Sequence, residues 1–134
     1  MKGINKMKVL SIKEPWATLI KDNVKKIETR SWKTNYRGEL FIHTSKSKIS
    51  KEIKSNLDIM NLLKSDLSYG KIICKCRIVD CIYMTEEFIN NLKKNNYQEY
   101  ICGNYKVGRY AWILEDIQTI EPIDSNGKLG IWNL

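Results

Sequence analysis

At 134 residues, 43% hydrophobic and 28% charged, the chain has the size and composition of one globular domain spanning residues 1–134, able to bury about 65–70% of the surface its unfolded form exposes and too apolar for disorder. Its longest apolar runs, such as Trp112-Ile113-Leu114, fall far short of the roughly 20 residues that cross a bilayer, and the start MKGINKMKVL has no apolar signal core or cleavage site, so neither membrane anchor nor export signal is read and a cytoplasmic protein is expected. A net charge of +8 concentrates anionic partners, of which nucleic acid is the commonest, but charge alone does not separate a nucleic-acid binder from a merely lysine-rich surface.

Residues 7–12, MKVLSI, alternate as a strand and run into KEPWATLIKD, where Pro15 suits the first turn of a helix and Trp16, Leu19 and Ile20 recur at i, i+3 and i+4. Asn23 stands where a left-handed cap stops that helix. A strand over 25–32 follows, and the loop KTNYRG joins it to a third, ELFIHTS, with Leu40, Ile42 and Thr44 on one side and Phe41, His43 and Ser45 on the other. Residues 47–64 are expected as one second helix, capped by Ser47 or Ser50 and carrying Ile49, Ile53, Leu57, Met60 and Leu63 as an apolar stripe. KIICKCRIV then alternates Cys74, Cys76 and Ile78 against Lys75 and Arg77, as a half-exposed strand does. Thr85 caps a third helix with Glu86 and Glu87 in its first turn and Lys93 and Lys94 in its last, the order the helix dipole favours. The tyrosine-rich passage NNYQEYICGNYKVG reads as loop, RYAWILEDI as a strand and GKLGIWNL as the site of a short last strand, with Pro122 at an edge or turn between them. Short strands with about three interspersed helices and no regular βαβ alternation make an α+β domain, a small, mostly antiparallel β-barrel with the helices packed on it.

Cys74, Cys76, Cys81 and Cys102 follow a C-x-C-x4-C-x20-C spacing that matches no common zinc pattern, and only one histidine exists to help them. They are read as small buried hydrophobes, and no metal or organic cofactor is implied. The chemistry concentrates instead in KKIETRSWKTNYRG, residues 25–38. On a strand, period-2 geometry puts Glu28, Arg30 and Trp32 on one face and Ile27, Thr29 and Ser31 on the other, with Thr29 towards the core. An acid, a fork of donors and a flat ring make a poor core and a good ligand site. A carboxylate beside Arg30 and within reach of Lys25 is a fixed acceptor for an exocyclic amine such as that of cytosine, and the Arg fork suits a carbonyl pair or a phosphate. A salt bridge that merely closes the barrel mouth is the plain alternative for Glu28 and Arg30. Trp16 and Trp32 are candidate stacking platforms for an unpaired base, although Trp16, beside Leu19 and Ile20, fits the core equally well. Lys33, Arg37, Lys46 and Lys48 either track phosphates or simply solvate the surface. His43 shares a strand face with Phe41 and Ser45, and with neither a cysteine nucleophile nor a carboxylate identifiable near it, no catalytic part is assigned to it.

The stretch LSIKEPWATLIKDNVKKIETRSWKTNYRGELFIHTS near the start, with GRYAWILEDIQTIEPI and GKLGIWN at the end, resembles the ASCH domain, a branch of the PUA-like fold related to RNA-modification and base-recognition modules. The family's initial strand, Pro-Trp helix, K-x-x-E-x-R strand and R-G turn are matched by Pro15, Trp16, Lys25, Glu28, Arg30, Arg37 and Gly38. Asn23 stands where the family commonly has glycine, and asparagine tolerates the left-handed conformation nearly as well. The middle, 46–102, adds nothing specific.

The resemblance implies a PUA-like barrel that binds RNA or a nucleotide-like ligand. By the same resemblance Arg109 and Tyr110, after Gly108, approach the cleft; Tyr110 and Trp112 share strand parity, and one is expected to line the cleft while the other fills the core. The expected site is thus a basic, aromatic-lined cleft of Trp16, Lys25, Glu28, Arg30, Trp32, Arg37, Arg109 and Tyr110. Some ASCH members hydrolyse the acetyl amide of acetylated cytidine, a lysine activating a threonine three positions later. Lys25 matches the lysine, but the threonine's place holds Glu28, which leaves Lys25 and Glu28 as the catalytic residues of an alternative, a small amidohydrolase for such a nucleoside. Protein partners leave no readable trace.

Overall fold

The computed structural model describes residues 7–134; residues 1–6, part of the start in which no export signal is read, lie outside them. In chain order come β1 (Lys8–Ile12), α1 (Trp16–Lys21), β2 (Ile27–Arg30), β3 (Gly38–Thr44), the one-turn helices α2 (Lys51–Lys54) and α3 (Leu57–Met60), β4 (Lys71–Tyr83), α4 (Glu86–Asn95), α5 (Tyr97–Ile101), β5 (Tyr110–Asp124) and β6 (Ile131–Asn133). The strands form one six-stranded sheet in the order β2-β5-β4-β3-β1-β6. β1 runs parallel to β3, and every other neighbouring pair is antiparallel. The α+β architecture is therefore a mixed, mostly antiparallel half-barrel with short helices around it, β2 and β6 standing at its two edges.

Alternation decides what each strand buries. Leu10, Ile12, Leu40, Ile42, Cys74, Cys76, Ile78, Trp112 and Leu114 meet Ala17 and Ile20 of α1 in the main cluster, while Val9, Phe41, Ile72 and Trp132 pack together in a second. Each fully buried aliphatic side chain there is worth about 1.5–3 kcal/mol of apolar burial. Gly38 opens β3 at φ +126°, a conformation L side chains rarely adopt, and a Cβ there would stand 3.3 Å from the Tyr36 hydroxyl, which is the physical need behind the R-G turn.

Two local devices hold α1. At its start the buried Glu14 carboxylate accepts from the Thr18 amide at 2.8 Å, from the Thr18 hydroxyl, and from the Ser68 amide at 2.9 Å. At its end Asn23 takes the left-handed conformation, φ +63°, and the amides of Asn23, Val24 and Lys25 return to the carbonyls of Ile20 and Leu19. The helix stops where the sequence predicts, and the reversal turns Val24 and Lys25 inward.

The expected helix over 47–64 is instead two single turns. The Ser55 hydroxyl donates back to the carbonyls of Lys51 and Glu52, and Asn56 caps a new start by accepting from the Ile59 amide; short polar side chains compete with the helical ladder in this way. Of the predicted stripe none is fully buried, Leu57 is exposed, and the residue that goes inside is Ile59. The tyrosine-rich passage holds a short helix, α5, started by Asn96, which accepts from the Glu99 amide. Pro122 lies inside β5 rather than after it. The chain absorbs it where the register slips between Ile72↔Ile123 and Cys74↔Thr119, and β2 covers only Tyr110–Ile113 of β5's other side, so a residue without an amide proton costs little there. Thr85 caps α4 as predicted, accepting from the Phe88 amide at 3.1 Å.

Candidate ligand-binding cleft

The reversal at Asn23 delivers Lys25 to a position 1% exposed. Its Nζ donates to the Ile27 carbonyl at 2.5 Å and the Cys102 carbonyl at 2.6 Å. It stands 3.8 Å from Glu28 Oε1 and 5.9 Å from the centre of the Trp16 ring. An ammonium has three donors, so the third is left for Glu28 and for whatever enters from outside. Glu28 Oε2 accepts from Arg30 Nε at 2.9 Å, and Arg30 Nη2 donates to the Ser11 carbonyl at 3.0 Å. This chain of charges ties edge strand β2 to β1, which backbone pairing does not join to it. Glu28 and Arg30 thus form the bridge across the barrel mouth and at the same time the floor of a cleft.

Behind the floor, α5 presents Glu99, 3% exposed, whose carboxylate accepts from the amides of Lys26 at 2.8 Å and Ile27 at 3.1 Å. Burial raises its pKa above the ordinary carboxylate value, against the opposing pull of Lys25 and those two amides. Glu99 pins the first residues of β2 and so positions Lys25. It falls in a passage the sequence reads as loop, and a buried acid leaves no mark there.

The cleft has a volume of about 870 Å³, within the size range of small-molecule sites. α1, the turn after it and β2 supply Trp16, Lys25, Glu28 and Arg30; the ends of β1 and β3 supply Ser11, Lys13, His43 and Lys46; Arg109 and the loop 126–130 complete the wall. Among the described residues six cations line it, Lys13, Lys25, Arg30, Lys46, Arg109 and Lys128, against the single carboxylate of Glu28. Of the residues expected from sequence, Trp16, Lys25, Glu28, Arg30 and Arg109 therefore come together. Arg109 is held by the carbonyls of Asn104 and Thr29.

Three expected residues lie elsewhere. β2 ends at Arg30, so strand parity no longer governs Trp32. Its ring meets Trp112 edge-on, centres 4.7 Å apart, and its carbonyl accepts from Trp112 Nε1. Arg37 donates to the carbonyls of Thr34 and Tyr36 and faces Asp80 at 3.8 Å. Tyr110 packs edge-on against Tyr83 and Trp112 is wholly buried, so neither lines the cleft. Thr29, expected towards the core, belongs to the wall: the turn after α5 closes over it, and its hydroxyl accepts from the Asn104 amide at 3.1 Å. Among the other lysines Lys46 reaches the cleft, whereas Lys48 lies over the Tyr69 ring.

Sequence reasoning misses Ser11, Lys13 and the 126–130 loop. Ser11 and His43 are partners in the parallel β1–β3 ladder. Their pairing at 2.9 Å, Ser11 Oγ to His43 Nδ1, was readable only by aligning two strands 32 residues apart. The cysteines serve packing: Cys74 and Cys76 lie in the main cluster, Cys102 in the one beneath Trp16. Burial pushes the Cys76 thiol up to about 12 and that of Cys102 to about 11, which keeps both protonated near neutral pH.

A curved mixed sheet whose unclosed side is bridged by charged residues under a cation-lined cleft defines a small α+β domain of the half-barrel kind. The ASCH domain family matches residues 10–124, and the chain belongs to that family. It is 32% identical over 81 residues to human Activating signal cointegrator 1, a match that takes in 54% of this chain and 14% of that protein; the chain thus spans about one seventh of that relative's length. Among solved structures it is similar to ASCH from Zymomonas mobilis, with a TM-score of 0.55 at 16% identity over 89% of this chain and 73% of that one. A tyrosine-to-phenylalanine mutant of the Zymomonas mobilis protein gives a TM-score of 0.53 at 17% identity, over 90% and 76%. Identities this low speak for the fold alone.

Proposed function

We propose that this ASCH chain binds single-stranded RNA or a nucleotide-like ligand in the cleft, with a base against Trp16 and over Lys25, Glu28 and Arg30, and with phosphates on the rim cations. One observation carries the reading: among the described residues six cations and a single carboxylate line the cleft, and that carboxylate already faces two of the six. Such a wall favours a polyanion. The floor offers what a polar base edge needs, an acceptor in Glu28 and donors in Lys25 and Arg30, and an indole for stacking stands beside them. Binding is preferred to amide hydrolysis because position 28, where the hydrolase relatives place a threonine, holds Glu28 in ion pairs, and the neighbouring Thr29 hydroxyl is engaged by Asn104.

The test is fluorescence anisotropy with short labelled RNA single strands over a series of salt concentrations. If four rim cations (Lys13, Lys46, Arg109 and Lys128) meet phosphates, log K falls against log salt with a slope of about −3, and K46Q or K128Q lowers that slope by roughly 0.7 each. Binding that ignores salt, or none across RNA pools and nucleosides, overturns the reading. Turnover of acetylated cytidine that disappears in a Lys25→Ala variant would replace it with the hydrolase.

A further inference from the structure

We propose that Ser11 is the residue by which the cleft selects a ligand carrying a hydroxyl donor, and that this donor is the ribose 2′-hydroxyl, so that the cleft prefers RNA to DNA. The inference rests on the nucleotide reading above and adds to it a polarity fixed by the protein itself.

The polarity follows from counting donors and acceptors. His43 is 1% exposed, and its Nε2 lies 2.8 Å from the Ser125 carbonyl oxygen. A carbonyl only accepts, so Nε2 carries the proton, and in the neutral imidazole Nδ1 is then an acceptor. Ser11 Oγ, 2.9 Å from Nδ1, must donate its single proton to it. Trp132 Nε1, which only donates, lies 3.2 Å from the same Oγ and takes one of its two lone pairs. What Ser11 has left for the cleft it lines is one acceptor position and no proton. A backbone carbonyl in the loop after β5 thereby dictates, through a buried histidine, what a ligand must offer at Ser11.

The loop after β5 packs against this pair. A Cβ on Gly127 would stand 2.7 Å from Ser11 Oγ and 2.9 Å from His43 Cε1, so the loop lies directly on the pair and only glycine fits without a shift. The same loop is fastened to β3's end by Asn126 Oδ1, which accepts from Lys46 Nζ at 2.5 Å.

Placement selects the sugar rather than the base. On one side Ser11 adjoins the floor, since its carbonyl accepts from Arg30 Nη2. On the other it adjoins the rim through His43, Ser125 and the Asn126–Lys46 contact. In a nucleotide the sugar lies between base and phosphate, and inside a strand its one free hydroxyl is the 2′-OH, the group by which proteins tell RNA from DNA. Deoxyribose offers nothing there, and a 2′-fluorine offers an acceptor to an acceptor.

The experiment compares one short single-strand sequence as RNA, as DNA and as its fully 2′-fluoro form, which keeps an RNA-like sugar pucker but has no donor. Wild-type protein is expected to bind the RNA about three- to tenfold more tightly than either of the others, the range of one neutral hydrogen bond. S11A is expected to bind all three alike. Equal affinity for RNA and DNA by the wild type overturns the inference and leaves the nucleotide reading standing. RNA-like affinity for the fluoro strand shows that no 2′ donor is read, and overturns the polarity; the wild-type comparison decides this even if S11A does not fold. An S11A protein that keeps the preference assigns it to another residue and overturns the inference as well. Failure to bind any of the three overturns the nucleotide reading itself.

Discussion

Replacing Glu28 with glutamine separates the two parts this carboxylate plays. The side chain keeps its shape and an oxygen for Arg30 Nε, but the negative charge facing Lys25 at 3.8 Å and Arg30 at 2.9 Å is gone. Removing one member of a buried ion pair costs about 3–5 kcal/mol, because the charge left behind loses its partner. Here Lys25 keeps two carbonyl acceptors and Glu28 borders the open cleft, so the cost falls to the lower end of that range or just below it, roughly 2–3 kcal/mol. Urea unfolding followed by tryptophan fluorescence reads it. With an m value of about 1.5 kcal/mol per molar, the midpoint drops by roughly 1.5–2 M while the chain remains folded in buffer. RNA affinity falls by roughly five- to 150-fold if Glu28 accepts from a base edge. A lower midpoint with unchanged affinity reduces the triad to a tie across the barrel mouth. A midpoint and an affinity both like wild type refute the reasoning that Glu28 is the counter-charge of the floor.

Trp32→Ala loses the edge contact with Trp112 and lowers stability by about 1 kcal/mol, yet RNA affinity stays within twofold; Arg37→Ala changes neither measurably. A large loss of affinity in either variant would put the ligand on the wrong face of the sheet in this account. Because burial raises the Glu99 carboxyl, its neutral form favours the fold. The stability it contributes is full below the ordinary carboxylate pKa and is lost as pH rises through the folded value, by at most about 1.4 kcal/mol per pH unit. Wild type should therefore gain stability relative to Glu99→Gln as pH falls through that window, and a difference independent of pH contradicts it.

How much of this was legible in the sequence depended on whether the signal was local. The stop at Asn23, the cap at Thr85 and the alternation of Cys74 and Cys76 are decided within a few residues, and the structure has them where the sequence puts them. The helix expected over 47–64 breaks at Ser55 and Asn56, whose side chains bond the backbone, a counter-signal that apolar spacing does not carry. In the site, Lys25, Glu28 and Arg30 were readable because one turn and one short strand place all three. Trp32 was misplaced by carrying strand parity two residues past the strand's end. Ser11, Glu99 and Gly127 acquire their parts only through partners 32 to 121 residues away in sequence, which no periodicity records.

On the proposed function, the ligand enters between the β2 edge and the 126–130 loop, on the Lys25–Glu28–Arg30 floor. The most direct measurement is an amide and indole NMR titration of the protein with a short RNA single strand at low salt. The account predicts shifts concentrated at the Trp16 indole, the amides of residues 25–30 and those of Gly127 and Lys128, with Trp32, Arg37 and Tyr110 silent. Shifts gathered around Trp32, Arg37 and Tyr110, with the floor unmoved, would contradict it.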